Sequence, residues 1–304
     1  MHPDDWHLTE DLDDFLGRTG EFLRSRPALH TIQLTTVETL RSRETDAHRS
    51  EPPALGWLEQ AGEVRAVFIR VPPRRLILTP IAPEHIDTLA ARLAGLGHSR
   101  SFPGVSADHD TATAFAEAWQ RHTGATPTLL NRLRLYRLGT LTPPEPLPEG
   151  RARVAGGHER EQLMLWCNEF ARSVGQAPFE DVESWARRYA GKWFTFWETP
   201  DGAAVSMAAA TAMVAGQVRV DPVYTPAHLR GRGYAGAVTV EASRAALAAG
   251  ATQVVLFTDL ANPTSNGLYQ RIGYRPVTDF AAYGFSPAAP ARAESPSRGD
   301  SQAR

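Results

Sequence analysis

From Val223 to Ala235 the chain reads Val-Tyr-Thr-Pro-Ala-His-Leu-Arg-Gly-Arg-Gly-Tyr-Ala. This segment follows a β-branched run at 218–220 and precedes an alanine-rich stretch with helical periodicity that ends near residue 249. The order predicts a strand, a tight glycine-containing turn and the start of a helix. Free N–H groups and the positive dipole end of a helix N-terminus bind anions, and glycines let the backbone approach them closely. The segment therefore predicts a phosphate site.

Two common phosphate-binding loops can be compared with this segment. A Walker A loop ends in Gly-Lys-Ser/Thr, but the only lysine of the chain is Lys192. The dinucleotide fingerprint G-x-G-x-x-G is matched by Gly231, Gly233 and Gly236, yet residues 253–257 lack the acidic residue that binds the ribose. The sequence argues against both interpretations.

A second motif occupies residues 262–274, which read Asn-Pro-Thr-Ser-Asn-Gly-Leu-Tyr-Gln-Arg-Ile-Gly-Tyr. It is similar to the pattern Asn-x-x-Ser-x-x-x-Tyr-x-x-x-Gly-Phe/Tyr of the GNAT acyltransferase superfamily. Residues 230–235 resemble the coenzyme A loop of that superfamily, Arg/Gln-x-x-Gly-x-Gly/Ala. The two motifs stand in the right order with a predicted strand between them, so the chain resembles a GNAT domain over residues 150–285 and only faintly before that.

The resemblance implies an α/β (α+β) GNAT fold, in which helices flank a mixed, mostly antiparallel sheet, with two GNAT-like domains in tandem. We expect a degenerate GNAT-like N-terminal domain at 1–141, a proline-rich linker at 142–149, a catalytic domain at 150–286 and a disordered tail at 287–304. The first half is degenerate because no Arg-x-x-Gly-x-Gly loop lies between Thr79 and Glu84. An unrelated α+β domain in that half stays an alternative.

Local patterns predict the elements of both halves. In the second half they give helices at 159–174 and 179–189, a hairpin within 192–215, strands at 217–225 and 252–258, a helix at 264–272 and closing strands through 285. In the first half they give a hairpin of 54–60 with 63–71, a strand at 74–79, helices at 83–96 and 112–122 and a strand at 129–138.

The resemblance also implies the chemistry, which is acyl transfer from acetyl-CoA to a primary amine of a small molecule. Tyr269 is the expected general acid for the departing thiolate, because a phenol has a pKa close to that of a thiol. The expected cofactor-binding residues are Val223, Tyr224, Thr225, Arg230, Gly231, Arg232, Gly233, Tyr234, Ala235, Gly236, Asn262 and Ser265. Within this set, residues 223–225 would form the strand edge for the pantetheine arm. Asn262 and Ser265 would hydrogen-bond the cofactor, and helix capping is the alternative for either.

The sequence leaves the general base open. Ribosomal-protein N-terminal acetyltransferases of this superfamily carry a glutamate at the position of Phe257, so the resemblance argues against peptide N-termini as acceptors. The candidates are Glu198, Asp221, Asp259, Glu169 and a chain of water molecules. Aromatic side chains at 166–197 either line an acceptor pocket or pack helices on the sheet.

Composition excludes several other functions. The net charge of −2 gives no electrostatic case for binding nucleic acid, and no apolar run reaches membrane-spanning length. The acidic N-terminus lacks a signal-peptide core, and the single cysteine and the histidine spacing indicate no metal site. We expect a cytoplasmic bacterial enzyme, with a homodimer left open. The alternatives are an enzyme for another acyl-CoA, an amino acid or an antibiotic, and a non-catalytic acyl-CoA sensor.

Overall fold

A computed structural model of the chain describes residues 5–42, 51–96 and 102–287. The predicted disordered tail lies outside these residues, apart from residue 287. The first half contains β1 (Asp5–Thr9), α1 (Leu12–Ser25), α2 (Thr31–Arg41), β2 (Ala54–Gln60), β3 (Glu63–Arg70), β4 (Leu76–Leu78), α3 (Pro83–Ala94), β5 (Gly104–Asp108), α4 (His109–Thr123) and β6 (Thr126–Leu138). The second half contains β7 (Arg151–Val154), α5 (Arg160–Ser173), α6 (Val182–Tyr189), β8 (Trp193–Glu198), β9 (Ala204–Ala210), β10 (Gln217–Tyr224), α7 (Tyr234–Ala248), β11 (Gln253–Asp259), α8 (Pro263–Arg271) and β12 (Tyr274–Ser286).

The two halves repeat one order of elements. Each runs strand, two helices, three strands, helix, strand, helix and a long closing strand. The mixed sheet, largely antiparallel and flanked by helices, is the predicted fold class, and the internal repeat confirms the tandem arrangement.

One continuous sheet joins the halves, because their closing strands are exchanged. The strand order is β1-β2-β3-β4-β5-β12-β6-β11-β10-β9-β8-β7. Thus β12 of the second half pairs with β5, and β6 of the first half pairs with β11, while β6 and β12 pair with each other. At the centre Leu133 lies opposite Phe280 on one side and opposite Asp259 on the other. The limits predicted for the two domains stay a prediction, since β6 belongs to one half by sequence and to both by pairing.

Helices cover both faces of the sheet in each half. In the first half Ala66 and Phe68 of β3 pack with α3 and α4, whereas Val67 and Ile69 pack with α1 and α2. This follows from the alternation of side chains along a strand. In the second half the strands divide in the same way between α7 with α8 and α5 with α6. No helix in the described part of the chain is both long and apolar enough to cross a bilayer.

Several elements differ from the sequence-based expectations. The closing strands through residue 285 are one strand, β12, because its whole length pairs with β6. The local patterns did not predict β1, α1, α2, β5 or β7. The three strands among them have only four or five residues, and their pairing partners rather than their own sequence fix them.

Candidate functional site

A fork opens between β10 and β11. The two parallel strands pair from Gln217 with Gln253 to Arg219 with Val255, and beyond that pair they have no mutual register. Each of the two strands, which form the arms of the fork, still pairs with its neighbour on the outer side. β10 pairs with β9 as far as Tyr224, and β11 pairs with β6 as far as Asp259. A register shift after Val220 bends β10 away from β11. We call the gap the fork and the pair Arg219–Val255 its apex.

The predicted pantetheine edge, residues 223–225, consists of the last two residues of β10 and the residue that follows it. Tyr224 and Thr225 are buried and Val223 is half-buried. Ser206 Oγ donates to the Tyr224 carbonyl oxygen at 3.1 Å, and Arg230 Nε donates to the Thr225 carbonyl oxygen at 3.0 Å. These bonds hold the end of the strand and bring Arg230 to the open end of the fork.

The loop from Arg230 to Gly233 forms an exposed cradle at the start of α7. Gly231 and Gly233 have φ values of +78° and +82°, which favour glycine. The first intrahelical bond at this end is from Ala237 N–H to the Gly233 carbonyl. The N–H groups of residues 234–236 therefore have no acceptor in the described part of the chain, and neither an acidic side chain nor a side-chain cap occupies the first turn. Such a terminus binds anions.

Gly236 has a packing role in addition to its place in the cradle. A Cβ at this position would lie 3.0 Å from Leu268 Cδ1 of α8, so glycine lets the two helices approach closely. Pro148 of the linker lies 3.6 Å from the position of a Cβ on Gly233. The linker therefore passes over the start of α7 and borders the cradle.

Tyr269 lies on α8 in the same apolar cluster as Val220 and Leu256, which stand on the two arms of the fork. Its ring contacts the rings of Tyr136 and Tyr274, with centroids 6.5 and 6.1 Å away. No hydrogen bond to its hydroxyl is present among the described residues. Burial, and secondarily the negative charge of Asp221, raise the pKa of Tyr269 above its ordinary value. The hydroxyl is thus a protonated and unengaged donor.

Asn262 and Ser265 use some of their polar groups to cap α8, and their other side-chain donors are free in the described part of the chain. Asn262 Oδ1 accepts the Ser265 N–H at 3.0 Å, so Asn262 is the N-cap of α8. The capping alternative therefore applies to this oxygen, while the Asn262 side-chain amide and the Ser265 hydroxyl make no hydrogen bond among the described residues. Both residues stand at the end of β11, which is the open end of the fork.

The four carboxylate candidates for the general base have different surroundings. Glu198 is held by Arg153 Nε at 2.6 Å and Arg151 Nη2 at 3.0 Å, and these bonds lower its pKa. Its strand, β8, is separated from the fork by β9. Asp259 accepts the Ala261 N–H in the turn after β11. These two carboxylates are engaged in structural contacts.

The other two candidates lie on or beside β10. Burial would raise the pKa of the Asp221 carboxyl, but the cations around it, Lys192 first, outweigh burial and hold that pKa below its ordinary value. Glu169 of α5 lies beside the Tyr224 hydroxyl, whose pKa is raised by burial first and by Glu169 second. Asp221 is therefore a weak base, which leaves Glu169 as the stronger of these two candidates for the general base.

Sequence reasoning missed an ion pair at the fork. Lys192 Nζ donates to the Asp221 carbonyl oxygen at 2.7 Å and to Asp221 Oδ2 at 2.8 Å, and it lies 4.9 Å from the centre of the Tyr189 ring. The lysine side chain is only 9 % exposed. The one lysine among many arginines was a signal that could have pointed to a special environment.

The aromatic side chains at 166–197 belong mainly to the core. Trp166, Trp185, Phe194, Phe196 and Trp197 are all buried, and four of them pack in one cluster between α5, α6 and the sheet. The packing interpretation is confirmed for these five, so they do not line an open acceptor pocket.

The corresponding place in the first half is closed. Only residues 79–82 connect β4 with α3, and Pro83 at the first turn of α3 has no N–H to offer. Gln33 Nε2 donates to the Leu78 carbonyl oxygen, and Thr111 Oγ1 accepts the Ile81 N–H. Backbone groups that would have to meet a cofactor are thus already satisfied within the protein.

Comparison with known proteins agrees with this architecture. A family model described as FR47-like protein matches residues 204–281, a stretch that contains the fork, the cradle and α8. No curated protein matches the chain significantly. Among solved structures, the chain is similar to a GCN5-related N-acetyltransferase from Kribbella flavida, with 22% identity, coverage of 72% of this chain and 86% of that chain, and a TM-score of 0.51. It is similar to one from Sphaerobacter thermophilus, with 19% identity, coverage of 83% and 85%, and a TM-score of 0.56.

A third similar structure has two GNAT units. It is a tandem GNAT protein from the clavulanic acid biosynthesis pathway, solved without AcCoA, with 11% identity, coverage of 94% of this chain and all of that chain, and a TM-score of 0.58. At these identities the similarity establishes the fold alone.

Proposed function

We propose that this chain, which has two GNAT folds in tandem, is an acyl-CoA-dependent N-acyltransferase that transfers acetyl from acetyl-CoA to a primary amine of a small molecule. The observation that carries the proposal is the fork between β10 and β11 together with the anion cradle at its open end. An acyl-CoA needs both, because it has a pyrophosphate at one end and an extended amide-containing arm at the other.

The cradle would bind the pyrophosphate. The free N–H groups of residues 234–236 supply donors, and the exposed Arg230 and Arg232 supply positive charge. The pantetheine arm would then enter the fork and pair with the free inner edge of β10 at residues 223–225. Because β10 and β11 are hydrogen-bonded to each other at the apex, the pantetheine arm can extend no further than that point. The thioester would therefore lie at the apex.

The reaction would be direct transfer in a ternary complex. The amine nitrogen attacks the thioester carbonyl carbon, the carbon–sulfur bond breaks, and an amide and a thiolate form. Tyr269 would donate its hydroxyl proton to the thiolate as it leaves, and the proton lost by the amine passes to solvent or to a base such as Glu169. Burial raises the pKa of Tyr269 further from that of a thiol, so the hydroxyl is fully protonated at neutral pH but is a weaker acid than an exposed phenol. Most of the rate enhancement would come from positioning.

A second candidate function is a non-catalytic acyl-CoA sensor. The closed site in the first half supports this candidate, because one GNAT-like unit of the chain has already lost an open cofactor loop. Against the sensor stands Tyr269, whose free buried hydroxyl would have no purpose in binding alone.

Calorimetric titration of the full chain with acetyl-CoA tests the proposal. We expect one site per chain, because in the described ranges 5–42, 51–96 and 102–287 the second half has the cradle and the fork and the first half has neither. The matched control is CoA without the acetyl group, which should bind in the same place. Absence of binding to the folded chain would refute the proposal, and binding without thiol release in the presence of any amine would favour the sensor.

A further inference from the structure

The apex of the fork has more positive than negative charge. Asp221 interacts electrostatically with three cations, Lys192, Arg219 and Arg188. Lys192 already satisfies the Asp221 carboxylate, with Nζ 2.8 Å from Oδ2. Neither Arg219 nor Arg188 forms an ion pair with a carboxylate in the described part of the chain. Arg188 is an exposed residue of α6, so the cation left without a carboxylate partner at the apex is Arg219.

Arg219 is held in place by the first half of the chain. Its Nη1 donates to the Thr31 carbonyl oxygen, to Thr31 Oγ1 and to Thr35 Oγ1 at 3.3, 3.3 and 3.2 Å, and both threonines belong to α2. Thr31 is fixed in turn by a 2.9 Å bond from its hydroxyl to Gln217 Oε1 on β10. The remaining edge of the guanidinium, Nε and Nη2, makes no hydrogen bond among the described residues.

This arrangement has the features of an anion-binding group. Arg219 as a whole is half-buried, its guanidinium carries a positive charge at neutral pH, and hydrogen bonds set its orientation on one side only. Desolvation lowers the pKa of Arg219, so an anion on the free edge would recover favourable interactions that burial removes. A carboxylate matches the free Nε–Nη2 edge with two parallel hydrogen bonds.

We propose that the amine acceptor carries a carboxylate, which binds the free edge of Arg219, and that α2 of the first half therefore forms one wall of the acceptor site. The proposal rests on the proposed acyltransfer. It assigns Arg219 to substrate specificity, and Thr31 and Thr35 to positioning. It also restricts the acceptor to amines whose carboxylate is only a few bonds from the amine nitrogen. The reason is that Arg219 is itself a residue of the apex, where the thioester would lie.

The test uses the full chain and pairs of acceptors that differ only at the anion. Amino acids are compared with their carboxamides at fixed acetyl-CoA, and thiol release is followed. We expect kcat/KM to favour the acids by at least about tenfold, the usual weight of hydrogen bonds to a charged group. Equal rates, or a preference for the amides, would overturn the proposal while acetyl-CoA binding and turnover leave the proposed function intact. If acetyl-CoA does not bind, both fail.

A substitution then tests Arg219 itself. In Arg219→Gln the preference for acid over amide should fall at least about tenfold, whereas Arg18→Gln, which removes an exposed arginine of α1, should keep it. Thermal denaturation and acetyl-CoA titration check that each variant is folded. If Arg219→Gln does not fold, Arg219→Lys retains the charge without the two-donor edge and should lose part of the preference. A full preference in either folded variant would contradict the assignment.

Discussion

The substitution Gly233→Glu, compared with Gly233→Ala, separates charge from backbone strain in the cradle. Gly233 has a φ of +82°, a region that costs a residue with a side chain about 1–2 kcal/mol. A Cβ would lie 3.6 Å from Pro148, an ordinary contact, so no clash is added. Both variants therefore share one loss of stability, and only the glutamate adds a negative charge where the pyrophosphate would bind.

The effect of that charge on affinity can be worked out from Coulomb's law. A carboxylate about 8 Å from a unit phosphate charge costs about 2 kcal/mol at the effective dielectric constant of a protein surface. A pyrophosphate doubles this repulsion, and salt at physiological strength removes about half of it. The net loss of about 2 kcal/mol corresponds to a Kd about thirtyfold higher in Gly233→Glu than in Gly233→Ala.

Calorimetric titration with CoA measures this difference without turnover. The two variants should unfold at similar temperatures, and the gap between their Kd values should narrow at high salt, because the repulsion is between exposed charges. Equal Kd values for the two folded variants would show that the pyrophosphate does not bind at the start of α7, and the placement of the cofactor would have to be abandoned.

Three further expectations concern other parts of the molecule. Tyr269→Phe should lower kcat about 100-fold with little change in the Kd for CoA, and an unchanged kcat with chemistry rate-limiting would remove Tyr269 from the acid role. Hydrogen bonds from Arg153 lower the pKa of Glu159 from 4.5 to about 2, so Glu159→Gln should lower the free energy of unfolding at neutral pH. In urea titrations this difference from the unsubstituted protein should vanish as the pH falls from 4.5 to about 2. A difference in unfolding free energy that persists at the acid end would contradict this. A chain of residues 142–304 should not fold alone but should fold when co-expressed with residues 1–141, and a cooperative thermal transition of the isolated piece would be evidence against the exchanged strands.

Local sequence was sufficient to predict the elements of the fork. The strand ending at Tyr224, the helix beginning at Tyr234 and the helix of Tyr269 lie within about two residues of their predicted places. Glycines, caps and hydrophobic periodicity specify such features within a few residues of chain. Asn262 is another feature that local sequence determines, because the residue that begins the second motif is the N-cap of α8.

Features that depend on distant pairing could not be predicted from the sequence. The strand at 129–138 was expected, but nothing in its own residues indicates that Leu133 lies between Phe280 and Asp259. Arg219 was unremarkable for the same reason, because its threonine partners come from a helix about 190 residues earlier. Burial and charge balance at the apex appear only once the sheet has assembled.

The exchange of β6 and β12 has a consequence for synthesis on the ribosome. Until β12, at residues 274–286, emerges from the exit tunnel, β5 keeps an unpaired edge and β6 can pair on one side only, with β11. The first half therefore cannot complete its sheet ahead of the second, although domains commonly fold in the order of synthesis. A nascent chain stalled before residue 274 would expose these open edges to chaperones or to other nascent chains.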